Sequence, residues 1–151
     1  MIWLTYGILT DTPSVWLQNS SGVVFGLYYC KVFCRFCPSD ADWLPLTKRY
    51  HWSCILATAV FCMCVAALPL KRSLQCLGVV GNITGLILFG SPLSAIRIVL
   101  KEQNTNSMAF GFTCSVALTC ALWMYQGYKF LNDPFIYIGY AIGLALASIQ
   151  L

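Results

Sequence analysis

Asn19 is the first residue whose type and position call for a chemical role. It lies inside an apolar stretch, Pro13–Phe33. A side-chain amide there must face a cavity or a partner group, because an unsatisfied one is expensive in an apolar medium. A helix-to-helix hydrogen bond is the competing role. Ser115, Thr119 and Trp123 recur every four residues and therefore share one helix face. For the serine and threonine, close packing of small residues is the alternative. Trp3 is a second tryptophan, equally readable as an interfacial anchor. Asn82 and Thr84 point about 200° apart on a helix, so they cannot line one pathway together. Thr84 is the better pathway candidate and Asn82 the better candidate for a hydrogen bond inside a bundle. Amides and hydroxyls match the hydroxyls of a ligand without burying a charge, and tryptophan offers a flat apolar face. Enzyme chemistry is not in view. No nucleophile–base–acid set is present, and the single histidine, His51, borders a loop.

The nine cysteines suggest neither a disulfide framework nor a metal centre. Cys54, Cys62, Cys64, Cys114 and Cys120 sit within apolar runs, where cysteine behaves as a small hydrophobe. Cys34-x-x-Cys37 is half of a zinc pattern without a second half. No cofactor is expected.

These residues must be positioned by apolar helices. The chain of 151 residues is 59% hydrophobic and only 9% charged, whereas soluble domains carry roughly 25% charged residues. Five stretches approach the roughly 20 apolar residues that cross a bilayer: 13–33, 52–70, 74–100, 108–130 and 134–151. All five acidic residues, Asp11, Asp40, Asp42, Glu102 and Asp133, fall outside them. Asp11-Thr12-Pro13 and Asn132-Asp133-Pro134 read as turns followed by helix starts. The net charge of +4 is dispersed, which argues against a nucleic-acid partner. Lys31, Arg35, Lys48, Arg49, Arg97 and Lys101 fall in one set of loops, and Lys71, Arg72 and Lys129 in the other. That bias places the first set in the cytosol. No signal peptide is visible in Met1–Leu9, which is too short and lacks a basic start.

The two ends of the chain are alike. Trp3 and Gly7 match Trp123 and Gly127 at an offset of 120, and Pro13, Asn19 and Gly22 match Pro134, Tyr140 and Gly143 at 121. Trp52–Leu70 lies between the copies. One intervening span gives the copies parallel orientation, an arrangement known among transporters built from internal repeats.

The residues that carry a family resemblance are GNITGLILFGSPLSAIRIVLKEQNTNSM (81–108), WMYQGYKFLNDPFIYIGYAIG (123–143) and WLTYGILTDTPSVWLQNSSG (3–22). Together they resemble the SWEET (MtN3/saliva) family of sugar transporters over nearly the whole chain. The resemblance implies an all-α, multi-spanning membrane protein, with two parallel three-helix-bundle repeats joined by a linker helix. The first repeat would be incomplete. Residues 1–33 would be its remnant, 34–73 a cytosolic loop and the linker helix, and 74–151 the second repeat. It also implies facilitated, bidirectional movement of mono- or disaccharides by alternating access. The lipid bilayer and a sugar are then the partners, with a homo- or hetero-oligomer expected. The plasma membrane is the expected location, with Golgi or another endomembrane as the alternative.

The resemblance assigns sugar contact to Asn19, Thr119, Trp123 and Trp3, and gating to Pro92, whose other reading is a tolerated kink. Thr84 is added from its position in the span. The family's second pocket asparagine is replaced by Tyr140, which is larger and would shrink the pocket while keeping one hydrogen-bonding group. Gly139 and Ala109 stand where the family has prolines. Two alternatives remain: a non-transporting or partner-dependent subunit that pairs with an intact relative, and a PQ-loop-type amino-acid carrier. The second lacks its signature, since Pro92 is followed by Leu93.

Overall fold

A computed structural model describes residues 1–36, 48–90 and 110–150 of the chain. The described residues are helical, and no strand occurs among them. In chain order the helices are α1 (Ile2–Leu9), α2 (Pro13–Phe36), α3 (Lys48–Ala66), α4 (Leu70–Gly90), α5 (Phe110–Gln126) and α6 (Pro134–Gln150). The end of α5 passes into a π turn over Gly127–Leu131. The chain forms two compact units, Met1–Gly78 and Val79–Leu151.

Proline marks the starts. Pro13 and Pro134 are the first residues of α2 and α6, where the missing N–H costs nothing because the helix would not use it. α3 and α4 meet at a tighter corner than the sequence suggests. α4 was expected from residue 74, but it begins at Leu70, so Lys71 and Arg72 lie in its first turn instead of a loop. Pro69 ends the run of donors, and the N–H groups of Arg72 and Ser73 then bond back to Pro69 O at 2.8 and 3.1 Å. The buried Ser73 hydroxyl donates to Val65 O at 2.7 Å, adding a second bond to a carbonyl at the end of α3 that also accepts from Leu68 N at 3.0 Å.

The second unit is held by polar clasps between helices. Asn82 Nδ2 of α4 donates to Phe135 O at 2.9 Å. Gln150 Nε2 of α6 donates to Phe89 O at 3.1 Å. Side-chain amides are suited to an apolar bundle, where a neutral donor finds a carbonyl without a buried charge. Packing is closest between α5 and α6, around Cys120, Ile136 and Ala147, all buried. The outer faces are apolar: Val24, Phe25, Leu56, Met63, Ile87, Leu118, Leu122 and Ile149 are exposed. Such a surface is suited to a hydrocarbon surrounding.

α4, with 21 residues, is long and apolar enough to cross a membrane, and His51–Ala66 and Pro134–Gln150 are shorter apolar helices. α2 is longer at 24 residues, but Gln18, Asn19, Ser20, Ser21, Lys31 and Arg35 dilute its apolar character. Residues 91–100 and 108–109 of the expected spans, and Leu151, lie outside the described residues.

Candidate functional site

Each unit contains a helix–turn–helix corner, and the candidate side chains are set by these corners. In the first, Asp11 takes the left-handed conformation (φ 48°) between α1 and α2. Thr12 N donates to Gly7 O at 2.9 Å, and Val15 N and Trp16 N both donate to Thr12 O at 3.1 Å. In the second, Asn132 has the same φ of 48°. Asp133 N donates to Gly127 O, and Ile136 N and Tyr137 N to Asp133 O, each at 3.1 Å. Asp133 Oδ1 also accepts from Phe135 N at 2.9 Å as a helix cap. The second corner contains one more residue, taken up by the π turn. Gly7 and Gly127 let the helices close. A Cβ on Gly7 would stand 2.7 Å from Trp16 N, and one on Gly127 2.8 Å from Ile136 Cγ2.

Three residues beyond Trp16 and Tyr137, these corners present Asn19 and Tyr140. Asn19 is half-buried, and its Nδ2 donates to Val15 O at 2.8 Å within α2. It lines an open groove of about 320 Å³ together with Met1, Gly22, Val23, Gly26, Leu27 and Ile55. That volume is at the lower end for small-molecule sites. Trp3 is partly buried one corner away, its ring edge-on to Tyr6 (centroids 5.4 Å, 68°).

In the second unit Tyr140 lies parallel to Trp123, with centroids 5.7 Å apart and 18° between planes. Its ring also meets that of Phe89, at 6.2 Å and 53°. Trp123 and Tyr140 are thus brought together. Thr119 and Ser115 are exposed, and their hydroxyls bond back to Ser115 O and Gly111 O, each at 2.8 Å. Thr84 is exposed and likewise bonds to Val80 O and Gly81 O. Asn82 makes the interhelical bond instead, and its amide packs against Gly139. Pro92 and Ala109 lie outside the described residues, as do Cys37 and most of the two polar loops.

Neutral amides, aromatic faces and an apolar exterior are the features of an all-helical membrane protein. The chain belongs to the MtN3/saliva family, described as "Sugar efflux transporter for intercellular exchange", whose model matches residues 75–151, just over half of the sequence. Members of this family are transporters, not enzymes. Among relatives, "Sugar transporter SWEET1" of Caenorhabditis elegans is 29% identical across 99% of this chain and 47% of its own length. "Sugar transporter SWEET1" of Dictyostelium discoideum is 25% identical across 99% of this chain and 69% of its own. "Bidirectional sugar transporter SWEET1" of Arabidopsis thaliana is 29% identical across 93% of this chain and 56% of its own. The chain therefore spans about half to two thirds of the length of the curated relatives it matches. No solved structure matches it.

Proposed function

We propose that this chain serves facilitated, bidirectional transport of mono- or disaccharides across a membrane by alternating access. The observation that carries the reading is the Asn19 amide on the wall of an open, otherwise apolar groove. A neutral amide can both donate to and accept from sugar hydroxyls, and it avoids the cost of a charge in hydrocarbon. The names of the relatives and the family match support the same solute class. The proposed layout has residues 1–33 and 74–151 as parallel repeats on either side of 34–73, with Asn19, Trp3, Thr84, Thr119, Trp123 and Tyr140 toward the pathway and Pro92 at a gate. The common hydrogen-bond pattern of the two corners supports that correspondence. The plasma membrane is the proposed location, and a homo- or hetero-oligomer the proposed state.

The test is Asn19→Ala in a version of the protein that transports. Glucose and sucrose uptake is expected to fall to background while the amount of protein in the membrane is unchanged. Unaltered uptake of both sugars would assign Asn19 to packing and remove the main support.

One observation favours a second reading, a subunit that works only with another membrane polypeptide. Among the described residues nothing stands within 4 Å of where a Cβ on Gly22 or Gly26 would be. Small residues four apart let a neighbouring helix approach closely. Vesicles holding this chain alone should then pass sugar no faster than protein-free vesicles. Saturable uptake by them would refute this second reading.

A further inference from the structure

Tyr140 and Trp123 are the one pair of candidate residues in the second unit whose rings lie in parallel contact. The contact is braced. Phe89 stands against the tyrosine ring, and Phe89 is itself fixed at Gly143, where a Cβ would stand 2.9 Å from its ring. Its backbone carbonyl also holds Gln150. A sugar ring and a phenol ring compete for the same thing on an indole: a flat apolar face at van der Waals distance. The equivalent position of the first unit carries Asn19, which cannot stack and offers hydrogen bonds instead.

We infer that Tyr140 is a specificity-determining residue because it occupies the stacking position on Trp123 that a sugar ring would otherwise take. This inference rests on the sugar-transport reading above. A sugar reaching the second unit meets the tyrosine hydroxyl and ring, and the indole face turned to Tyr140 contributes only once Tyr140 is displaced. The two units then recognise solute differently, the first by an amide and the second by a covered aromatic stack. Removing the tyrosine ring uncovers the indole. Sugar affinity at that unit should rise roughly two- to tenfold, the factor set by an aromatic pair of ordinary strength.

The experiment uses the full chain in detergent micelles, labelled with 5-fluorotryptophan and followed by fluorine NMR. Trp123 and Trp3 resonances are assigned from Trp123→Phe and Trp3→Phe. Tyr140→Asn, which installs the residue found at position 19, should move the Trp123 signal by removing the stacked ring, and Tyr140→Phe should leave it in place. Tyr140→Ala repeats the test if the amide perturbs folding, with the Trp16 signal and helical circular dichroism as controls. Glucose and methyl glucoside are then titrated. The expected result is a sugar-dependent shift of Trp123 in Tyr140→Asn or Tyr140→Ala, and little or none in the unaltered chain or Tyr140→Phe. An equal sugar response of Trp123 in all four proteins would overturn the inference, because the indole would already be open. A response at Trp3 alone, in every protein, would keep the sugar reading and overturn the role of Tyr140. No sugar response at any tryptophan in any protein would overturn both.

Discussion

The α1–α2 corner and the α5–α6 corner are built alike and finished differently. Both turn through a left-handed residue, Asp11 or Asn132. Both close over a glycine, and both begin the next helix at proline. Beyond the turn they diverge. Gly143 is covered, since a Cβ there would stand 2.9 Å from Phe89 and 3.1 Å from Cys120 Sγ, whereas its counterpart Gly22 faces open space. Tyr140 is stacked and Asn19 borders a groove. The backbone turn is therefore separable from what the following helix is used for. A tight corner fixes the angular position of the next side chains, and their chemistry is free to differ.

The largest effect should come from the shared part. Gly7→Ala brings a methyl against the backbone of Trp16, which cannot step aside, and should destabilise the fold by about 2–3 kcal/mol. Gly127→Ala meets the Ile136 side chain at 2.8 Å and backbone only at Tyr137 N, at 3.0 Å, and should cost less, about 1–2 kcal/mol. Equilibrium unfolding in mixed micelles, followed by circular dichroism, measures both. Equal and negligible costs would mean that the corners do not close as described.

The divergent part gives a change of sign. Gly143→Ala should destabilise by about 1–2 kcal/mol through Phe89 and Cys120. Gly22→Ala should stabilise α2 by up to about 1 kcal/mol, the helix-propensity gain of alanine over glycine. A matching loss at Gly22 would show that its face is covered as that of Gly143 is. Next in size, Asn82→Ala removes the donor to Phe135 O and should cost about 1 kcal/mol. Faster amide exchange at the start of α6 would locate the loss. The smallest effect belongs to the turn residues. Asp11→Gly and Asn132→Gly relieve a positive φ but enlarge the unfolded ensemble, so the net gain should stay within about 0.5 kcal/mol. It should be larger at Asp11, because asparagine tolerates that conformation better.

Much of the frame was legible. Pro13 and Pro134 announce the helix starts they make, and the apolar runs announce α2 to α6. Asn82 was readable as a clasp because a mid-span amide needs a carbonyl and Thr84 points the other way. The boundary at 70 was not, since Lys71 and Arg72 resemble loop residues until Pro69 is seen to supply the turn. Spacing placed Ser115, Thr119 and Trp123 on one face but could not say where that face turns. The two hydroxyls bond to their own helix, and only Trp123 meets another candidate. The Tyr140–Trp123 stack was hidden because periodicity describes one helix at a time, whereas a ring contact depends on the angle between two. The offset between the two copies, 120 before the turn and 121 after it, was visible as a slip, but the π turn that absorbs it was not.

That π turn works as a phase correction. One added residue would advance everything downstream by about 100° around the helix axis and swing Tyr140 away from Trp123. Here the surplus is absorbed between Gly127 and Leu131, before Asn132 resets the direction. Side chains on α6 therefore keep the angular places that their counterparts hold on α2, despite the unequal spacing. For anyone exchanging segments between the two corners, the seams are fixed by this. Joints at Asp11 and Asn132 carry the phase across intact, while a joint within Gly127–Leu131 transfers the extra residue without the turn that hides it.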